Sequence, residues 1–223
     1  MLKRGSFFMA LFAVLLGFVL VGCGGGSPSQ GSSNQASQGN PQMDKKAVYA
    51  EINEILDSDI VKTEKDATER TTFYRPFTGF GLYPSWQVTQ IGDTVRMDAV
   101  IVDGTKWEKS KGMDSLVYWH TIIFLTDEKK WEYQIPHCDG STGGGKEVSK
   151  NNTGMYEYYE TQFNNLSPGY RLLVEGTNPI IRLKGVNKRK DIKVTEEMIT
   201  ALKTGLRLDE LFIITRGKIE RAQ

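Results

Sequence analysis

Leu116-Val-Tyr-Trp-His-Thr-Ile-Ile-Phe-Leu125 is a run that is apolar on both faces, the composition of a central strand buried on two sides. Trp131, Tyr133 and Ile135 follow, alternating with Glu132 and Gln134 as a half-buried strand does. Thr126-Asp127-Glu128-Lys129-Lys130 lies between the two and reads as a polar hairpin connection. Upstream, Val95, Met97, Ala99 and Ile101 alternate with Arg96 and Asp98. Further strands are expected around Thr71–Tyr74, Ser85–Ile91, Leu172–Glu175 and Ile180–Val186.

The period changes at the two ends. Asp44 caps a stretch with Val48, Ile52, Ile55 and Leu56 at helical spacing, and Thr195 caps another with Met198, Ile199, Leu202 and Leu206 on one face. Strands in a run with a helix at either end predict an α+β, β-dominated fold. The expected architecture is an antiparallel β-sandwich or curved sheet with an N-terminal and a C-terminal flanking helix.

The whole chain has 223 residues, 28 Lys+Arg against 27 Asp+Glu, 39% hydrophobic residues, 23 Gly and two Cys. It is too apolar to be disordered throughout and too evenly charged for a nucleic-acid partner to be expected. Two Cys cannot build a disulfide-dense scaffold or a multi-cysteine zinc module. These averages conceal an uneven distribution, because the first 43 residues carry only Lys3 and Arg4 as charged side chains.

Met1-Leu2-Lys3-Arg4 is a short basic region, followed by Phe7 to Val21, an apolar stretch interrupted by Gly17. The stretch falls short of the roughly 20 residues that a spanning helix needs and suits a secretory signal. Leu20-Val21-Gly22-Cys23 closes it. These four residues resemble the lipobox of bacterial lipoproteins, which implies a lipid on the Cys23 sulfur and cleavage before Cys23. Each buried acyl methylene contributes about 0.8 kcal/mol, so two or three chains anchor durably.

Gly24 to Met43 contains no charged or aromatic residue and reads as a flexible tether, with an r.m.s. reach of about 25 Å. Gly24 stands where many inner-membrane-retained lipoproteins have Asp, which by resemblance leans towards outer-membrane delivery. The expected organisation is a signal over 1–22, a lipidated Cys and tether over 23–43, and one globular domain over 44–223. Location at the cell membrane or outer membrane, on the extracytoplasmic side, follows. Without Lys3 and Arg4, 26 basic side chains face 27 acidic ones, so net charge selects no partner.

The folded part also resembles a domain of uncharacterised bacterial proteins, many of them lipoproteins. The matching pieces are Thr72-Phe-Tyr-Arg-Pro76, Val117-Tyr-Trp-His120, Tyr156-Glu-Tyr-Tyr159, Ile181-Arg-Leu-Lys-Gly185, Asp191 and Thr195-Glu-Glu197. The Gly-rich insertion at 140–145 and Gly217-Lys218 fall outside that pattern. The resemblance supports fold and location and transfers no catalytic residue.

Chemistry-bearing motifs are sparse. Gly140-Ser-Thr-Gly-Gly-Gly145-Lys146 has the spacing of a phosphate loop, but Glu147 occupies the Ser/Thr position and its carboxylate would repel phosphate. A flexible connection between strands is the preferred reading. His137-Cys138-Asp139 are adjacent ligand-capable residues, a spacing that rarely converges on a metal; the other His, His120, reads as a core histidine with a hydrogen-bonded ring. No metal site and no cofactor are implied. Once Cys23 is lipidated, Cys138 is the remaining thiol.

Arg182, Lys184, Lys188, Arg189, Lys190 and Lys193 stand against Asp191 alone, a run whose plainer reading is a solvated hairpin with ordinary surface lysines. The candidate binding residues within it are Arg182, Lys188, Arg189 and Lys190, which would suit anionic headgroups, an anionic envelope polymer or an acidic protein, with Arg182 set to pair with a carboxylate such as Glu157. Tyr158 joins them from the aromatic set Tyr156, Tyr158, Tyr159, Phe163 and Tyr170, which would suit a binding face if exposed and sheet packing if not. The function expected is that of a lipid-anchored lipoprotein with a non-catalytic binding or structural domain. The alternative is a small envelope hydrolase using His137 or Cys138.

Overall fold

A computed structural model describes residues 44–76, 83–106, 116–151 and 154–220. The residues read as a signal, as a lipobox ending in Cys23 and as a tether lie outside the described residues. Asp44 accepts the Lys46 N–H at 3.0 Å and starts α1 (Lys45–Leu56), which buries Val48, Ile52 and Leu56. Four strands follow: β1 (Val61–Asp66), β2 (Thr71–Pro76), β3 (Tyr83–Ile91) and β4 (Thr94–Lys106). Next come the hairpin β5 (Thr121–Leu125) and β6 (Lys130–Gln134), then β7 (Lys146–Asn151) and β8 (Gly154–Gln162). The chain continues through α2 (Phe163–Glu175), the hairpin β9 (Ile180–Lys184) and β10 (Arg189–Lys193), and α3 (Glu196–Thr215).

The strands form two antiparallel sheets, a larger one in the order β1-β2-β3-β4-β8-β7 and a smaller one in the order β10-β9-β5-β6. The fold is therefore α+β and β-dominated, a sandwich-like pair of sheets flanked by N- and C-terminal helices. Every edge strand carries Lys, from Lys62 and Lys65 in β1 to Lys193 in β10, which discourages edge-to-edge pairing.

The inner face of the larger sheet presents Trp86, Val88, Ala99, Ile101 and Tyr159, and that of the smaller sheet Ile122, Phe124, Ile181, Leu183 and Ile192. α3 lies on β3, where Trp86 Nε1 donates to the Ala201 carbonyl at 2.7 Å. α1 packs on α3, and a two-pronged ion pair from Arg207 to Glu51 joins them at 2.6 and 2.8 Å. Thr195 caps α3 as expected. Among the described residues, no helix is long and apolar enough to cross a membrane.

Two segments depart from the sequence reading. Leu172–Glu175 is the last turn of α2 and not a strand. Ser167-Pro168-Gly169 looks like a turn, yet Phe163, Leu166, Tyr170 and Leu173 recur at helical spacing and are all buried. Pro168 lacks the N–H that would bond to Asn164, and the Ser167 hydroxyl donates to that carbonyl at 3.4 Å. Gly169 answers a packing demand: a Cβ there would stand 2.5 Å from Phe124 Cδ2 and 2.7 Å from Trp131 Cε3. In the second departure, residues 116–120 of the long apolar run are not strand, and β5 begins only at Thr121.

Gly169→Ala separates helix propensity from packing. Ala should favour the helix by about 1 kcal/mol, whereas overpacking against the two rings costs about 1–3 kcal/mol. Urea unfolding should show a net loss of stability. A more stable variant would mean that α2 does not approach the smaller sheet this closely.

Candidate functional site

The departure at residues 116–120 has a chemical cause. Glu157 lies on the inner face of β8 between Met155 and Tyr159, fully buried. One carboxylate oxygen accepts the N–H groups of Val117 and Tyr118 at 2.8 and 3.1 Å; the other accepts the Trp119 N–H at 3.1 Å and the Lys146 ammonium at 2.8 Å. Three successive amides converge on one anion because Tyr118 turns into the left-handed region, at φ 52°. Lys146, also buried, donates to the Gly140 carbonyl at 2.6 Å and stands 4.9 Å from the centre of the Trp119 ring.

Asp103 faces Glu157 across the β4–β8 ladder and accepts Lys190 at 2.5 Å, while Lys188 donates to the Leu116 carbonyl at 3.3 Å. Burial pushes the Asp103 carboxyl above its ordinary range, against the opposing pull of Lys190. This polar junction joins β4, β7 and β8 of the larger sheet to β10 and the approach to β5 in the smaller one.

The Gly-rich segment is part of that junction. Asp139 accepts Ser141 N–H, Ser141 Oγ and Thr142 N–H, which hold its carboxyl below the usual range, with the Thr142 amide the strongest contributor. Cys138 Sγ accepts the Gly140 N–H at 3.3 Å. Gly140, Gly143, Gly144 and Gly145 all have positive φ, and a Cβ at Gly140 would stand 2.6 Å from the Tyr118 carbonyl oxygen. The expected flexible connection is thus a hydrogen-bonded loop that delivers Lys146 into the interior.

Among the described residues no hydrogen bond links His120, His137, Cys138 or Asp139 to one another. His137 is exposed with φ 52°, Cys138 is half-buried, and His120 is half-buried beside Thr121 Oγ1 at 2.9 Å, so it is not sealed in the core. No three His, Cys, Asp or Glu side chains gather as a metal-binding group among the described residues.

The five candidate binding residues separate onto three surfaces. Arg182 and Arg189 lie on the outer face of the smaller sheet. Lys190 projects inward to Asp103, and Lys188 reaches the Leu116 carbonyl. Tyr158 lies on the outer face of the larger sheet, bonded to Glu160, which also receives Arg96 at 3.0 Å. Burial first, and then Glu160, push the Tyr158 phenol well up. Arg182 pairs with Asp191 at 2.7 and 2.8 Å and not with Glu157. Of the aromatic set, Tyr156 and Tyr158 are half-buried on that outer face, whereas Tyr159, Phe163 and Tyr170 are core.

The outer face of the smaller sheet has an ordered charge pattern. Glu132, Ile123, Arg182 and Asp191 form one row across all four strands. The rows on either side are Gln134-Thr121-Lys184-Arg189 and Lys130-Leu125-Ile180-Lys193. Lys130 neutralises Glu132 at 2.8 Å and Arg182 neutralises Asp191. Lys184, Arg189 and Lys193 make no ion pair with any described residue. A groove of about 440 Å³ runs beside Ile123, Arg182, Lys184 and Arg189.

No protein-family model, curated protein or solved structure matches the chain.

Glu157→Gln keeps the side chain's shape but leaves Lys146 buried without a counter-charge. Urea unfolding should show a loss of about 3–5 kcal/mol, and Lys146→Met combined with Glu157→Gln should cost less than the two single changes added. Strict additivity would mean that the pair is not coupled.

Proposed function

We propose that this is a lipid-anchored extracytoplasmic lipoprotein whose β-rich domain serves as a non-catalytic binding or structural module at the cell envelope. The observation that carries the reading is how the ionisable groups are disposed. Glu157, Lys146, Asp103 and Lys190 are committed to holding the two sheets together, whereas Lys184, Arg189 and Lys193 stand on an open sheet face. Three cations spaced over two outer rows suit a flat, repeating anion, such as an anionic envelope polymer or an acidic protein surface. The anchor rests on Leu20-Val21-Gly22-Cys23 behind an apolar stretch, with a charge-free tether leading to the first helix at Lys45.

The hydrolase alternative gains nothing from the arrangement of its residues. A nucleophile needs a base within about 2.6–3.2 Å, and Cys138 Sγ is instead engaged with the Gly140 amide.

Mass spectrometry of the membrane fraction of expressing cells should find Cys23 acylated at a new N-terminus, and Cys23→Ala uncleaved and unmodified. An unmodified soluble wild type would remove the anchor from the proposal. Binding is checked separately with inorganic polyphosphate as the polymeric anion. Lys184→Glu with Lys193→Glu should weaken retention at low salt by about thirtyfold or more, each charge being worth about 1 kcal/mol near an anionic surface. Unchanged retention would exclude this sheet face.

A further inference from the structure

The start of α1 and the end of α3 together form a second basic surface, at the point where the chain enters the domain. Lys45, Lys46, Arg216 and Lys218 line a groove of about 890 Å³, and Glu220 is the one acid among its described lining residues. Four positive charges thus stand against one negative charge in a domain whose total is close to neutral. None of the four cations makes an ion pair with a described residue.

Lys45 and Lys46 also occupy the first turn of α1, where the helix dipole disfavours cations, so helix stability does not explain them. Beside them α3 ends in Ile213 and Ile214, 68% and 40% exposed, although most of the helix's other apolar side chains are buried. Ile214 lines the groove with the cations, and this pairing matches a bilayer interface, where ammonium and guanidinium groups meet phosphate and aliphatic side chains reach the acyl boundary.

We propose that this surface docks the domain on the anionic headgroups of the bilayer. The inference rests on the anchor reading for its consequence in the cell: a lipid on Cys23 and a tether ending at Met43 would hold this end of the domain at high effective concentration over the membrane. Docking then orients the domain with α1 and the end of α3 against lipid.

The test uses residues 42–223 without lipid, which contain every described element and the whole core. The chain is sedimented with vesicles of phosphatidylcholine alone or of an equal mixture with phosphatidylglycerol. Binding is expected to the mixed vesicles only and to fall as salt rises. Lys45→Glu with Lys46→Glu and Lys218→Glu should lower the partition coefficient by about a hundredfold or more, and Ile214→Ser should lower what remains at high salt. Lys62→Glu with Lys65→Glu and Lys129→Glu, the same charge change at exposed sites on β1 and on the β5–β6 connection, should leave binding unchanged. Circular dichroism checks that each variant is folded.

Failure of the wild type to bind mixed vesicles would overturn the proposal, as would equal losses in the two triple variants. A missing acyl group on Cys23 would remove the anchor and leave the vesicle result standing. Absent vesicle binding would leave the anchor standing.

Discussion

One carboxylate organises the interior. Glu157 accepts three consecutive backbone amides and one ammonium from inside a mostly apolar sheet face. Burying a charged pair costs several kcal/mol before compensation, so the arrangement persists only because all four donors are aimed at the two oxygens. Consequences spread from there. The amides of residues 117–119 can reach Glu157 only if Tyr118 turns left-handed, which ends any strand at that point and starts β5 at Thr121. Lys146 must arrive buried at the head of β7, so the preceding loop runs tightly over the Tyr118 backbone and needs glycine where φ is positive.

The second constraint is α2, which touches β4 and β8 of one sheet and β5 and β6 of the other. Gly169 lets it close on Phe124 and Trp131, and the Tyr170 hydroxyl donates to the Ser85 carbonyl at 3.1 Å. A helix shared in this way covers both inner faces at once. The outer faces then carry the polar side chains, and the surplus positive charge gathers at the smaller sheet and at the α1–α3 end. A domain that is nearly neutral in total is therefore far from uniform in its field.

Local periodicity made much of the fold legible. Alternation at Val95–Ile101 and Trp131–Ile135, the Asp44 and Thr195 caps and the polar connection at 126–130 all correspond to real elements, because burial on one face imposes the period directly. The misreadings share a different cause. In residues 116–120 an apolar run was bent by a side chain 40 positions away in sequence, and in α2 a Ser-Pro-Gly triplet was retained for packing. Glu157 had a visible signal, an acid at an inward position between Met155 and Tyr159. Its partner Lys146 was equally visible behind three glycines, but nothing local joined them.

Among the binding residues, Arg182 and Arg189 share a face because their strands are paired in register, whereas Lys190 alternates inward and Tyr158 belongs to the other sheet. By itself, the sequence determined the strand-rich class, the helices at both ends and the near-neutral charge, since each depends on composition or spacing within a few residues. Tertiary structure alone decided that Lys146 and Glu157 form the junction, that α2 is helical beside Pro168, and which lysines remain at the surface. Those outcomes depend on contacts between distant segments, where a buried charge or a crowded ring overrides local preference.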